Sequence, residues 1–176
     1  MLEFKKHNVP LTVATVDMDW HWVDVKKKFP DAGYSKTRPL FWSDGWTGYS
    51  WNTELFPDYR GFLNFLHEQG LKVTLNLHPA LGIRSFENCY DAAARTMGLD
   101  PAEKKPIEFD ITDTRFINTY FDTAHHPYEE EGVDFWWIDW QQGKKSKLPG
   151  LDPLWALNHY HYLDRQRSGK RPLILS

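Results

Sequence analysis

The run VDFWWI at residues 133–138, closed by Asp139, restricts the fold more than any other stretch. A strand with one wet face alternates polar and apolar residues, whereas this one is apolar almost throughout, so both of its faces must be covered. Four other short runs read as strands: 11–17 (LTVATVD), 71–77 (LKVTLNL), 107–111 (IEFDI) and 171–175 (RPLIL). Helical patterns separate them. Asp58 to Gln69 carries Phe62, Leu63, Phe65 and Leu66, with Gly70 placed to end it. A second helix spans Phe86 to Met97 before Gly98, and a third Thr114 to Glu131 with a break at Pro127. A fourth covers 152–168, opened by Asp152 and Pro153. Apolar strands alternating with helices imply a parallel sheet covered on both faces, in either a doubly wound sheet or the first part of an eight-stranded α/β barrel. No G-x-G-x-x-G follows a strand, which removes the main support for a nucleotide-binding open sheet.

Composition excludes several function classes. A formal charge of −3 is too small to argue for nucleic acid or an anionic membrane surface as partner. Cys89 is the only cysteine, so neither a disulfide framework nor a cysteine metal cluster is expected. The N-terminus has no apolar core of a signal peptide, and no window reaches the length of a spanning helix, which points to a cytoplasmic protein without a membrane partner. No second histidine stands at ligand spacing from His78, and the adjacent His125 and His126 cannot share a helix face, so no metal or other cofactor is expected. Aromatic residues make up 16% of the chain, nine of them Trp. Flat rings stack on sugars and also fill cores. The Trp-rich segment 19–57 has no helical period, and loops of that length in a compact domain are usually functional.

In α/β barrels the chemistry sits at the C-terminal ends of the strands and in the loops after them. Those ends carry Asp17 and Asp19, Asn76 and His78, Asp110 and Asp113, Asp139 with Trp140, and Ser176. An acid after a strand is also an ordinary helix cap or turn former, which accounts well for Asp58 and Asp113. Asp139 is different, because Trp140-Gln141-Gln142 follow it rather than an immediate helix. A carboxylate flanked by tryptophans at a strand end is what a retaining glycosidase needs as nucleophile: ionised, close to the anomeric carbon and walled by rings. Asp17 and Asp110 could add negative charge around an oxocarbenium-like transition state. His78 fits either a packed imidazole or a substrate partner.

Three segments, in order, carry a resemblance: VDMDWHW (16–22), ELFPDYRGFLNFLHEQGLKVTLNLHPA (54–80) and GVDFWWIDWQQG (132–143). With them the chain resembles the catalytic barrel of glycoside hydrolase family 31, the α-glucosidase and α-xylosidase family. The resemblance implies a partial (β/α)8 TIM barrel of about the first five β/α units. It also implies a retaining α-glycoside hydrolase, an α-glucosidase by expectation, that forms a covalent glycosyl-enzyme on Asp139. Trp137 matches a pocket tryptophan, Asp17 the acid that binds sugar hydroxyls, and Met18 its apolar neighbour. His78 replaces an acid found in many members, and His78, Asp110 and Trp140 are expected to contact substrate. Transglycosylation would use the same intermediate, and an α-xylosidase, an α-galactosidase or a non-catalytic carbohydrate-binding module are the alternatives. The family's acid/base is an aspartate beyond the fifth strand. Residues 1–176 are therefore expected to be one fragment of the catalytic domain, inactive alone, with an α-glucoside or oligosaccharide as substrate and the missing C-terminal part of the barrel as its partner.

Overall fold

The computed structural model describes residues 2–32, 47–138, 146–169 and 171–176. Among them, four strands form one sheet: β1 (Val13–Val16), β2 (Lys72–Leu77), β3 (Phe135–Ile138) and β4 (Ile174–Leu175). They lie in sequential order and every neighbouring pair is parallel. The register sets Val16 beside Leu75, Asn76 beside Trp137 beside Leu175, and Leu77 beside Ile138.

Paired residues of parallel strands share a face, so this register sorts the side chains. Ala14, Val16, Val73, Leu75, Leu77, Trp136, Ile138 and Ile174 belong to the face packed into the main hydrophobic core. Thr74, Asn76, Phe135 and Trp137 occupy the other face, which opens outward at its margins, where Val13, Thr15 and Leu175 are exposed. A sheet with a helix-covered hydrophobic face and a second face carrying polar groups is the layout of a barrel wall.

The helices follow their sequence signals closely in two cases. In α3 (Tyr59–Glu68) the Asp58 side chain accepts from Gly61 N and the chain leaves through Gly70 at φ 80°. In α7 (Pro153–Arg165) Asp152 accepts from Trp155 N and proline fills the first turn. Short helices α1 (Leu2–Lys6) and α2 (Val25–Lys28) complete the N-terminal part.

The expected strand 107–111 is not part of the sheet: β2 pairs directly with β3, so the described residues hold four strands rather than five. Ile107 instead exchanges two main-chain hydrogen bonds of 2.9 and 3.0 Å with Ile83 as an isolated antiparallel bridge. Gly82 at φ 67° permits it, since a Cβ there would lie 1.9 Å from Ile107 O. Ile107 and Ile111 are buried in the main core. Their apolar spacing therefore reports packing on that core, not a place in the ladder. Asp110 then closes a turn by accepting from the main-chain N–H of Thr112.

Two helix boundaries also differ. The helix expected from Phe86 begins at Tyr90 as α4 (Tyr90–Met97), because 84–89 form successive turns, with Glu87 N bonded to Arg84 O and Tyr90 N to Glu87 O. The helix expected over 114–131 is interrupted earlier than Pro127. It runs as α5 (Thr114–Thr119), a π-helical segment Tyr120–His125 and α6 (His126–Glu130). Pro127 sits in the first turn of α6, where its missing N–H leaves no hydrogen bond unmade.

Trp20 and Trp51 of the long aromatic segment are core residues. Trp20 packs edge-on to Trp51 and Tyr128, and Trp51 stacks on Tyr59 at 4.9 Å between centroids. Trp22 meets Phe29, whereas Trp42 and Trp46 lie outside the described residues. No helix among the described residues is long and apolar enough to cross a membrane.

Candidate active site

Asp17 is the first residue after β1, and the register places it opposite Asn76. Its carboxylate oxygen Oδ1 accepts from Met18 N at 2.7 Å and from Asn76 Nδ2 at 3.0 Å. The side chain of Asp17 therefore caps the 3₁₀ turn Met18–Trp20 and is tied to the neighbouring strand while the residue stays exposed. Asn76 is fully buried, and its backbone carbonyl is held by Trp20 Nε1 at 3.0 Å. Its amide nitrogen also approaches His78 Nε2 at 3.5 Å.

His78 follows β2 directly and leads into the turn Pro79–Leu81. Its ring is buried and meets the edge of His21 at 5.7 Å. Burial, helped by the nearby His78, pulls the His21 imidazole down to about 3, so it is neutral at physiological pH. His21 Nδ1 lies 2.9 Å from Trp22 O, an acceptor, which places the proton on Nδ1 and leaves Nε2 as an acceptor. Among the described residues, the buried His21 Nε2 has no hydrogen-bond partner. In β3, Trp137 stands in register with Asn76 and is half-buried, unlike the buried Phe135, Trp136 and Ile138 around it. One layer across three strands thus presents a carboxylate, a carboxamide and an indole, with imidazoles one step beyond. Such a set can hold a polyhydroxylated ligand by accepting and donating hydrogen bonds beside an aromatic surface.

The structure joins Asp17, Met18, Asn76, His78 and Trp137 into this end of the sheet. Asp110 is held by another set: Thr112 Oγ1 donates to it at 2.6 Å and Lys147 pairs with it at 2.6 Å. Partial burial opposes the charge of Asp110, but these bonds win and hold its carboxyl below the usual carboxylate range. Asp139 and Trp140, the expected nucleophile and its aromatic neighbour, lie outside the described residues. Sequence reasoning passed over His21 and gave Asn76 no role in the site. The period of two from Thr74 marks Asn76 as sharing a face with the residue expected to bind sugar. His21 follows the D-x-D-W motif directly, a signal that was present.

A cavity of about 530 Å³ lies at the opposite, N-terminal end of β2 and β3, lined by His67, Lys72, Asp134, Glu129, Arg165 and Arg167 among others. Its charges are mutually neutralised. Asp134 binds Lys72 and His67, and Glu129 binds Arg165, Arg167 and Trp136 Nε1. Among the described residues no group of three His, Cys, Asp or Glu side chains is placed to hold a metal ion.

Residues 1–167 match the family model for the glycosyl hydrolases family 31 TIM-barrel domain. The chain belongs to glycoside hydrolase family 31. A solved structure with the same fold is described as the crystal structure of a family 31 α-xylosidase from a soil metagenome complexed with xylose. It aligns with a TM-score of 0.60 and 14% sequence identity over 99% of this chain. The chain spans 26% of that structure's length. A comparison with curated protein sequences gave no match. Membership of this family makes the chain a partial barrel and the C-terminal end of its sheet the place to look for carbohydrate chemistry.

Proposed function

We propose that the chain is the nucleophile-bearing part of a retaining α-glycoside hydrolase that acts on α-glucosides. The supporting observation is the layer formed by Asp17, Asn76 and Trp137 at the C-terminal end of the sheet, two residues before Asp139 in the sequence. In this reading Asp17 and Asn76 hold sugar hydroxyls and Trp137 packs on the ring. A carboxylate oxygen of Asp139 attacks the anomeric carbon as the glycosidic C–O bond breaks. The leaving oxygen takes its proton from an acid supplied outside these 176 residues, and water then cleaves the glycosyl ester. Asp110, His78, Met18 and Trp140 serve as further substrate contacts.

The test uses the intact enzyme that contains this chain. An activated 5-fluoroglycosyl fluoride of the α-gluco or α-xylo series traps the covalent intermediate, and peptide mass spectrometry should find the label on Asp139. Asp139→Asn should keep substrate binding while kcat falls by several powers of ten, about 10⁴ or more. A label on another residue, or near wild-type turnover by Asp139→Asn, rejects the assignment. Comparing aryl α-glucosides with aryl α-xylosides decides the sugar.

A further inference from the structure

Both bonds that Asp17 takes end on the same oxygen. Met18 N donates to Oδ1 at 2.7 Å and Asn76 Nδ2 donates to Oδ1 at 3.0 Å. An ionised carboxylate has about four lone-pair directions, shared between its two oxygens, so this double donation occupies Oδ1. Among the described residues no donor bonds Oδ2, and the residue is exposed. Oδ2 is the acceptor left for a ligand.

The two donors differ in what holds them. Met18 is the next residue in the chain and moves with the turn that Asp17 caps. Asn76 belongs to β2, is fully buried, and has its main-chain carbonyl pinned by Trp20 Nε1 at 3.0 Å. It is therefore the fixed point of the pair. An ionised carboxylate only accepts, so the amide turns its nitrogen and not its oxygen to Asp17. The same nitrogen approaches His78 Nε2 at 3.5 Å, which gives its second N–H a direction too. With that nitrogen turned to protein groups and no exposed surface, Asn76 acts on a sugar hydroxyl through Asp17.

We infer that Asn76 is a positioning residue of the sugar site: it holds Oδ1 of Asp17 against β2, so that Oδ2 faces the ligand. An exposed aspartate has several staggered rotamers open to it, and a tether from a buried neighbouring strand selects one before the ligand arrives. The inference rests on the proposed sugar site for its effect on turnover, but not for its effect on the Asp17 side chain.

A double-mutant cycle in the intact enzyme tests it, with an aryl α-glucoside and an aryl α-xyloside as substrates. Asn76→Ala should lower kcat/KM about thirtyfold, less than Asp17→Ala does, because Met18 N still holds Oδ1. In an Asp17→Ala background the same substitution should cost less than about twofold, since no carboxylate is left to place. An asparagine that served only the fold would cost the same in both backgrounds. Asn76→Leu, which keeps the volume in the strand and removes the donor, should repeat the result where Asn76→Ala weakens folding. A crystal structure of Asn76→Leu should show the Asp17 side chain in a changed or divided rotamer. Equal losses in the two backgrounds, no loss from either variant, or an unmoved Asp17 in the crystal overturns the inference. Should neither glycoside be turned over while Asp17 moves in the crystal, the sugar site fails and the positioning stands.

Discussion

At the N-terminal end of the sheet, Asp134 binds Lys72, His67 and the main-chain N–H of Val73, and Glu129 binds two arginines and an indole. At the C-terminal end, Asp17 takes one bond from Asn76 and one from Met18 N and remains exposed. One end saturates its acids with cations, and the other ties an exposed carboxylate only to uncharged donors. Charge pairing fixes helices to strands, and an exposed acceptor is what a ligand needs to find. A cavity of about 530 Å³ lies at the saturated end, and the balance of bonds is a better guide to the chemistry than the presence of a cavity.

The contrast can be broken first by pH, where the expected effect is largest. His21 and His125 are pulled down to about 3 by burial, and His161 lies well below its ordinary 6.5. The unfolded chain binds these protons below pH 6.5 and the folded chain does not, so stability should fall on acidification, by about 1.4 kcal/mol per pH unit for each histidine. Glu87 works in the opposite direction. Its folded value of about 8 against 4.5 unfolded makes stability fall as pH rises between those values, and this is the slope that remains above pH 6.5. A stability maximum near pH 6.5 in urea titrations is expected. A flat profile from pH 4.5 to 8, or a maximum above 8, would show that ion pairs rather than buried neutral groups govern the fold.

At the unsaturated end, Asp17→Ala in the intact enzyme should lower kcat/KM about a thousandfold, near 4 kcal/mol, because the sugar hydroxyls lose the carboxylate that accepts from them and Asn76 Nδ2 loses its acceptor. The unfolding midpoint should move little, since the residue is exposed. At the saturated end the outcome should invert. Glu129→Ala strands Arg165 and the Trp136 indole N–H, and should cost about 3 kcal/mol of stability while leaving turnover per folded molecule unchanged. A large stability loss from Asp17→Ala, or lost turnover in folded Glu129→Ala, would erase the distinction.

Much of this was legible in the sequence where local chemistry and tertiary demand agree. Asp58 and Gly70 bound α3, and Asp152 with Pro153 opens α7, as their spacing requires. The polar residues after β1 and β2 fall at one end because parallel strands all point one way. Residues 107–111 misled because burial against the core gives the same alternation of apolar residues as a strand. The tryptophans at 20 and 51 could be assigned to core or to sugar binding only by their neighbours, and those neighbours come from distant parts of the chain. Glu87 fell inside an expected helix, so nothing local marked it as a buried acid.

The π-helical segment Tyr120–His125 works as a phase shifter. Along a regular α-helix each residue turns the next by about 100°, and a widened turn holds one residue more than the α-helix would. Everything after it is read with that offset: Tyr128 points to the carbonyl of Tyr49, and Glu129 to Trp136 and Arg165. Losing one residue between 120 and 125 would let the helix run on without a break and turn the wrong side of α6 inward. The frame of the barrel wall is thus kept by a count of residues, an error in which no single substitution could imitate.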